Sequence, residues 1–121
     1  MNSEQLIDLA TEALDALKGV DITVIDITKK SSIADAMMVA TGTSKRHVRS
    51  MAESVRQSAK QADHAPLGFE GGDSSDWILV DLGDVIVHVM TQEQRDFYAL
   101  EKLWSVGPDS DEKKPNALGV V

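Results

Sequence analysis

WILVDLGDVIVHVM, residues 77–90 of this 121-residue chain, carries the strongest local indication of the fold. Two runs of mostly aliphatic and β-branched residues, 77–82 and 85–90, flank Gly83 and Asp84. Such runs are typical of strands, and a two-residue connection that contains glycine suits a tight turn between antiparallel neighbours. The sequence therefore predicts a β-hairpin over residues 77–90.

The two faces of this hairpin differ in composition, because side chains alternate between faces along a strand. One face, which we call the aliphatic face, carries six large apolar side chains and is predicted to be core: Ile78, Val80, Leu82, Val85, Val87 and Val89. The other face, which we call the mixed face, includes an aromatic ring, a carboxylate and an imidazole: Trp77, Leu79, Asp81, Ile86, His88 and Met90.

Two interpretations of the mixed face are open at this point. In the first, a helix covers the face, Trp77 is half-buried, and His88 forms a hydrogen bond with Asp81. In the second, the face docks a protein, since Trp and Met around an apolar centre are typical of protein interfaces. We favour docking, because the helices predicted at 3–18 and 44–62 suffice to cover the aliphatic face.

The rest of the chain predicts further helices and strands in alternation. Apolar spacing and β-branched runs place the helices at 3–18, 44–62 and 92–104, and the strands at 22–27, 36–41 and a short edge near 67–69. We expect Gly19 to end the first helix in a left-handed conformation and Phe97 to lie on the apolar side of the last one. The fold class is therefore α/β or α+β, a single domain with a mixed sheet of about five strands packed with helices.

The domain is predicted to span residues 1–105. A chain of this length suits one domain and buries a core without disulfides or metal. Residues 106–121 are polar and interrupted by proline, which favours a disordered tail.

The composition excludes several classes of protein. Twelve Lys and Arg against twenty Asp and Glu give a formal net charge of −8, and cysteine is absent. The lack of cysteine excludes a disulfide scaffold and a cysteine-based zinc site. The acidity argues against a generic DNA- or RNA-binding protein and fits a basic partner, although solubility alone also explains it. With no long apolar run and no basic N-terminal signal, we expect a cytoplasmic protein without a membrane partner.

No sequence motif for catalysis, a cofactor or a metal ion stands out, and we expect none of the three. The alternative is a nucleotide-binding or nucleotidyltransferase-like enzyme, because the segment 42–44, Gly-Thr-Ser, joins a strand to a helix N-terminus that could hold an anion. The acids that would bind magnesium are then Asp81 and Asp84. The turn between them keeps both side chains from pointing into one site.

The helix predicted at 44–62 has a basic side. Its members are Lys45, Arg49, Arg56 and Lys60, with Arg46 near the start. This side could contact RNA, pair with the chain's own acids, or face water.

Several longer segments carry a resemblance to a known family. IADAMMVATGTSKRHV (33–48), PLGFEG (66–71) and the hairpin stretch are followed by the pattern R-x-x-Y-x-L-E-x-L-W from Arg95 to Trp104. On these residues, which with their surroundings cover nearly all of the predicted domain, the chain resembles the ribosomal silencing factor family, RsfS, also called Iojap. The tail after Ser105 has no counterpart in this resemblance.

The resemblance implies a fold related to nucleotidyltransferases without their catalytic acids or their activity. It implies binding to large-subunit ribosomal protein fourteen, which blocks association of the small and large ribosomal subunits and represses translation under nutrient or energy limitation. Carried onto this chain, the contact surface centres on Trp77 and Leu79, with His88 and Met90 beside them. Acidic residues are then candidates to meet Lys or Arg of the partner: Glu70, Asp73, Asp81 and Asp84. A peripheral contact with ribosomal RNA and a homodimer of the free protein through the same face stay open as alternatives.

Overall fold

The elements of the fold follow one another as the sequence predicts. The structure is a computed structural model that describes residues 1–72 and 75–98. Its elements are α1 (Ser3–Ala16), β1 (Val20–Asp26), β2 (Ala36–Gly42), α2 (Lys45–Gln61), β3 (Gly68–Glu70), β4 (Trp77–Asp81), β5 (Val85–Thr91) and α3 (Gln92–Tyr98). The predicted continuation of the last helix over 99–104 and the predicted tail at 106–121 lie outside the described residues.

The five described strands form one mixed sheet in the order β1-β2-β5-β4-β3. Strands β2 and β5 run parallel, and the other three neighbouring pairs are antiparallel. Strands β4 and β5 form the predicted hairpin, in which Ile78 lies opposite Val89 and Leu79 lies opposite His88. The prediction of a mixed five-stranded sheet in an α+β fold is confirmed.

Helices α1 and α2 cover the aliphatic face. None of its six hairpin members has measurable solvent exposure, and they share one cluster with apolar residues of both helices, among them Leu6, Leu14, Val48 and Met51. Burial of this much aliphatic surface is the main stabilising contribution in a domain of this size. The prediction that this face is core is confirmed.

The ends of α1 correct one detail of the sequence prediction. Asn2 caps the helix in a capping box with Gln5, since each side chain accepts a hydrogen bond from the other residue's backbone N–H. The left-handed residue after the helix is Lys18, with φ of 61°, and the prediction that Gly19 takes this role is wrong. Gly19 is needed for space, because a Cβ atom there would lie 2.7 Å from the Cε atom of Met51.

The orientation of α3 corrects a second detail. Phe97, predicted on the buried side of this helix, is 79% exposed, whereas Arg95 is only 7% exposed. Two residues along a helix turn a side chain by about 200°, so a helix that directs Arg95 to the sheet directs Phe97 away from it. Of the three described helices, α3 is the one that lies on the mixed side of the sheet. No helix within the described residues is long and apolar enough to cross a membrane.

Candidate functional site

The mixed face extends across the sheet beyond the hairpin. Residues directly opposite each other on paired strands share a face, so Met37, Val39 and Thr41 of β2 continue it on one side, and Gly68 and Glu70 of β3 continue it on the other. Its buried centre is a second apolar cluster, separate from the one beneath α1 and α2. That cluster consists of Ile25, Ile27, Ala34, Met37, Val39, Ile86 and Met90, with Trp77 and Leu79 packed against it as partly buried members.

Trp77 is held in place by His88 on the neighbouring strand. The indole Nε1–H donates a hydrogen bond to His88 Nδ1 at 3.1 Å, and the two rings meet edge to face, with centroids 5.8 Å apart and planes at 68°. The first interpretation of the sequence paired His88 with Asp81, and this pairing is wrong. The Asp81 carboxylate instead accepts a hydrogen bond from the backbone N–H of Gly83 at 2.8 Å, which closes the hairpin turn.

The bond from Trp77 determines the protonation of His88. An indole N–H only donates, so Nδ1 must accept and the neutral ring carries its proton on Nε2. His88 has no exposed surface, and its Nε2 has no hydrogen-bond partner among the described residues. Burial disfavours the charged ring and lowers the pKa of His88 from 6.5 to about 4. His88 is therefore neutral at pH 7, in the state that accepts the indole hydrogen bond.

The burial of two predicted contact residues changes the composition of the candidate surface. His88 and Met90 lie on the mixed face as predicted, but neither has any exposed surface. Both are hairpin residues directly opposite half-buried neighbours, Leu79 and Trp77 respectively. We therefore revise their assignment: they support Leu79 and Trp77 from within the sheet and offer no surface of their own to a partner.

Two of the predicted acidic residues flank the apolar part of this surface. Glu70 lies directly opposite Leu79 on β3 and is exposed, and Asp81 lies opposite Gly68 and is half-buried. Because β3 is the edge strand, Glu70 stands at the rim of the face. Of the other two predicted acidic residues, Asp84 is exposed in the hairpin turn and Asp73 lies outside the described residues. The described part of the site is therefore a half-buried pair, Trp77 and Leu79, bordered by carboxylates.

Arg95 is a structural residue of this face that the sequence reasoning did not assign. Its guanidinium is buried where α3 meets the ends of β1 and β2. Nη1 donates to the hydroxyl of Thr41 at 2.8 Å and to the carbonyl of Asp21 at 2.6 Å, and Nη2 donates to the hydroxyl of Thr23 at 2.8 Å. Arg95 thus fixes α3 to the mixed side of the sheet. In the sequence, Arg95 stands out only as the first residue of the R-x-x-Y-x-L-E-x-L-W pattern. That pattern does not indicate which groups its side chain contacts.

The groups of the 42–44 turn are engaged within the protein. Ser44 caps α2 by accepting a hydrogen bond from the N–H of His47 at 3.1 Å, and the N–H of Thr43 donates to His47 Nδ1 at 2.9 Å. The glycine at position 42 is required by close packing, since a Cβ atom there would lie 2.8 Å from Val48 Cγ2. The groove beside this turn is also lined by Lys45, Asp76 and Glu93, so that two carboxylates outweigh one ammonium and the net charge opposes a phosphate.

The acids of the enzymatic alternative lie at the other end of the sheet. Thr91 at the end of β5 pairs with Gly42 beside the turn, whereas Asp84 lies just before the start of β5. Seven strand residues separate the two ends by about 20 Å. Among the described residues, no three His, Asp or Glu side chains come together in a way that could hold a metal ion.

The fold and the site together define a class of protein: a small α+β domain with one sheet face closed by helices and the other built around a half-buried Trp. Comparison with known proteins identifies the family within that class. The model of the family described as "ribosomal silencing factor during starvation" matches residues 1–118. This chain belongs to the RsfS family.

Individual relatives agree with this assignment. The chain is 47% identical to a ribosomal silencing factor RsfS of Haemophilus influenzae over 100 residues, which cover 83% of this chain and 98% of the relative. It is 45% identical to a protein of the same name from Chromobacterium violaceum over 104 residues, 86% of this chain and 85% of the relative. A crystal structure of a Chromobacterium violaceum protein superposes with a TM-score of 0.85 at 44% identity, covering 88% of this chain and 89% of that one.

Proposed function

We propose that this protein binds the large ribosomal subunit in the cytoplasm through ribosomal protein fourteen, with the mixed face as its contact surface. The bound protein then blocks association of the two subunits by occupying space, and it lowers translation when nutrients or energy are limiting. No bond is made or broken in this mechanism. The observation that carries the proposal is the half-buried pair Trp77 and Leu79 on the side of the sheet that α1 and α2 leave to other contacts.

The physical case begins with Trp77. A Trp that is half-buried before binding, and fixed in orientation by a hydrogen bond and a ring contact with His88, loses little side-chain freedom when a partner covers the rest of it. Trp is also the residue type most enriched among those whose truncation weakens protein interfaces. Trp77 together with Leu79 therefore supplies a pre-organised apolar anchor.

The charges around the anchor fit a basic partner. Glu70 at the exposed rim and Asp81 beside it present carboxylates next to Leu79, and the whole chain carries a net charge of −8. Complementary charge at a rim speeds association and selects against acidic partners, while the apolar centre determines how long the complex lasts. Family membership supplies the ribosomal context in which such a partner is found.

The experiment is a binding assay on purified large subunits with wild type and Trp77→Ala, followed by a subunit-association assay. Loss of the anchor is expected to weaken binding by about 2 kcal/mol or more, roughly 30-fold, and to lift the block on association by the same factor. Trp77→Phe keeps an aromatic ring but loses the indole N–H and part of the apolar surface, so its affinity is expected to fall between those of wild type and Trp77→Ala.

The matched control is Val24→Ala, which removes exposed apolar surface from the opposite side of the sheet. Val24 is 44% exposed and pairs with Met38, a residue of the α1 and α2 cluster. It is expected to bind like wild type. The proposal is wrong if Trp77→Ala keeps its wild-type melting temperature and still binds large subunits as tightly as wild type.

A further inference from the structure

Helix α2 carries a basic stripe on a side that the proposed docking surface does not use. Successive helix residues turn by about 100°, which places Lys45, Arg46, Arg49, Arg56 and Lys60 within one arc of about 100° along the whole helix. The buried side of the helix is distinct from this arc and consists of Val48, Met51, Ala52, Val55 and Ala59. We call these five basic residues the α2 stripe.

The surroundings of α2 show where the stripe faces. On one side, the Ser54 hydroxyl donates to the Ala13 carbonyl at 3.0 Å, so this side faces α1. On the other side, the Arg56 guanidinium lies 5.0 Å from the centre of the Phe69 ring on β3. The stripe therefore runs along the β3 edge of the sheet. Glu70, on the same edge strand, marks the beginning of the mixed face around that edge.

Part of the stripe is already paired and part is not. Glu53, the single acid of α2, accepts from Arg49 at 3.1 Å and lies 3.5 Å from Arg56. Lys45, Arg46 and Lys60 are exposed and form no ion pair with any described residue. Helix α2 thus combines five basic residues with one acid in a chain whose net charge is −8. Asp76 and Glu93 line the same groove as Lys45 and offset part of the charge at that end of the stripe. Because salt screens charges beyond about 8 Å, acids farther away do not cancel the positive potential along the rest of it.

We infer that the α2 stripe binds the phosphate backbone of an RNA duplex next to the surface that docks the ribosomal protein. The 17 residues of α2 extend about 25 Å, which is long enough for its two ends to meet different phosphates. Lys and Arg side chains spaced along a line suit the regularly spaced phosphates of a duplex. Contacts to these phosphates do not depend on the base sequence of the RNA. The inference rests on the proposed function for its setting, since a protein docked on a ribosome lies among RNA helices.

The test compares two triple variants that remove the same charge. Lys45→Gln/Arg46→Gln/Lys60→Gln removes the unpaired part of the stripe, and Lys18→Gln/Lys29→Gln/Lys30→Gln removes three bases elsewhere. Glutamine forms helices about as well as Lys and Arg, so α2 is expected to stay folded. Each protein is titrated with a 20-base-pair RNA duplex of arbitrary sequence and, separately, with large ribosomal subunits over a series of salt concentrations.

The stripe variant is expected to bind both the duplex and the large subunits about tenfold more weakly than wild type at low salt. Its plot of log affinity against log salt should be shallower by about 2.7, as expected when three contacts to the phosphates of a duplex are lost. The control triple should match wild type in both assays. If the stripe triple melts early, Lys60→Gln alone should give about one third of the change in slope.

The duplex experiment also separates this inference from the docking proposal, because Trp77→Ala should bind the free duplex like wild type. If Trp77→Ala and wild type bind large subunits equally, docking through the mixed face fails while the duplex titration still tests the stripe. Unchanged affinity and slope in the stripe variant, or an equal loss in the control triple, would overturn the inference. Competition by polyglutamate as strong as that by the duplex would assign the stripe to an acidic protein instead.

Discussion

The two faces of the sheet are made by the same strands and are held by different kinds of contact. The aliphatic face is closed by two helices through apolar side chains that have no polar atoms to satisfy. The mixed face also has an apolar centre, but its ends depend on polar contacts: the Trp77–His88 bond at one place and the Arg95 bonds at another. The larger apolar cluster of the aliphatic face therefore contributes most of the hydrophobic stabilisation, while the polar contacts of the mixed face fix the positions of particular side chains.

His88 shows what this positioning costs. Its Nε2–H has no hydrogen-bond partner within residues 1–72 and 75–98. A buried N–H without a partner destabilises a fold by about 1–3 kcal/mol, a penalty that Val or Ile at this position would not carry. What His88 adds is an acceptor for the indole of Trp77, which an aliphatic residue lacks. This cost, together with the fixed orientation of Trp77, supports the proposed role of Trp77 as the docking anchor.

The largest expected effect is on stability and comes from comparing substitutions at two adjacent residues of β4, one on each face. Ile78→Ala removes a side chain with no exposed surface from the aliphatic face and should lower the free energy of unfolding by about 2–5 kcal/mol. Leu79→Ala, on the half-buried mixed face, should cost less than half as much. Denaturant unfolding of both variants measures the contrast. Equal losses would mean that the mixed face is as much a part of the core as the aliphatic face.

A pH titration tests the mixed face next, because the depressed pKa of His88 makes stability depend on pH. Between pH 6.5 and about 4 the unfolded chain binds a proton at this position that the folded chain does not bind. The contribution of neutral His88 is therefore fully present above pH 6.5 and falls as the pH drops, by about 3 kcal/mol in total by pH 4.

The variant that isolates this effect is His88→Leu. Its free energy of unfolding should fall less steeply than that of wild type between pH 6.5 and 4, and the two curves should run parallel from pH 6.5 to 8. Denaturant melts across this range give both curves. Identical slopes below pH 6.5 would show that His88 does not titrate in this way.

These contacts also show where prediction from the sequence ended. The alternation of side chains along β4 and β5 gave the correct pairing and the correct face for every residue of the hairpin, because a strand has a period of two. The same alternation carries no information on what lies above a face. The pairing of His88 with Asp81, part of the interpretation that was not favoured, is therefore wrong, and the favoured docking interpretation did not predict the full burial of His88 and Met90. Arg95 bonds to residues more than 50 positions away, which no local pattern reveals.

A substitution of Arg95 tests a polar contact of the mixed face, and its expected effect on stability is smaller than that of Ile78→Ala. Arg95→Lys keeps the charge but loses the planar fork, and one ammonium cannot reach Thr41, Thr23 and the Asp21 carbonyl together. We expect a loss of about 1–2 kcal/mol in the free energy of unfolding. Arg49→Lys, at a partly exposed pair with Glu53, serves as the control and should change it by less than about 0.5 kcal/mol. A similar small change in both variants would remove Arg95 from the set of residues that hold the mixed face together.

The smallest expected effect is kinetic and concerns the rim of the mixed face. Glu70→Gln removes an exposed carboxylate beside Leu79. Because solvent and salt screen such a charge, its contribution to affinity should be below about 1 kcal/mol and should appear in the association rate. Stopped-flow binding to large subunits at low salt should show association slowed about twofold to threefold, with dissociation unchanged.

Glu4→Gln on α1 is the matched control for this rim substitution, since it changes the net charge equally but lies on the helix-covered side. If the rate depends on the local field at the mixed face, Glu4→Gln leaves it close to the wild-type value. If it depends only on net charge, both variants slow association alike. In that case the acidity of the chain attracts the ribosome without orienting it, and orientation is left to the apolar contacts of Trp77 and Leu79.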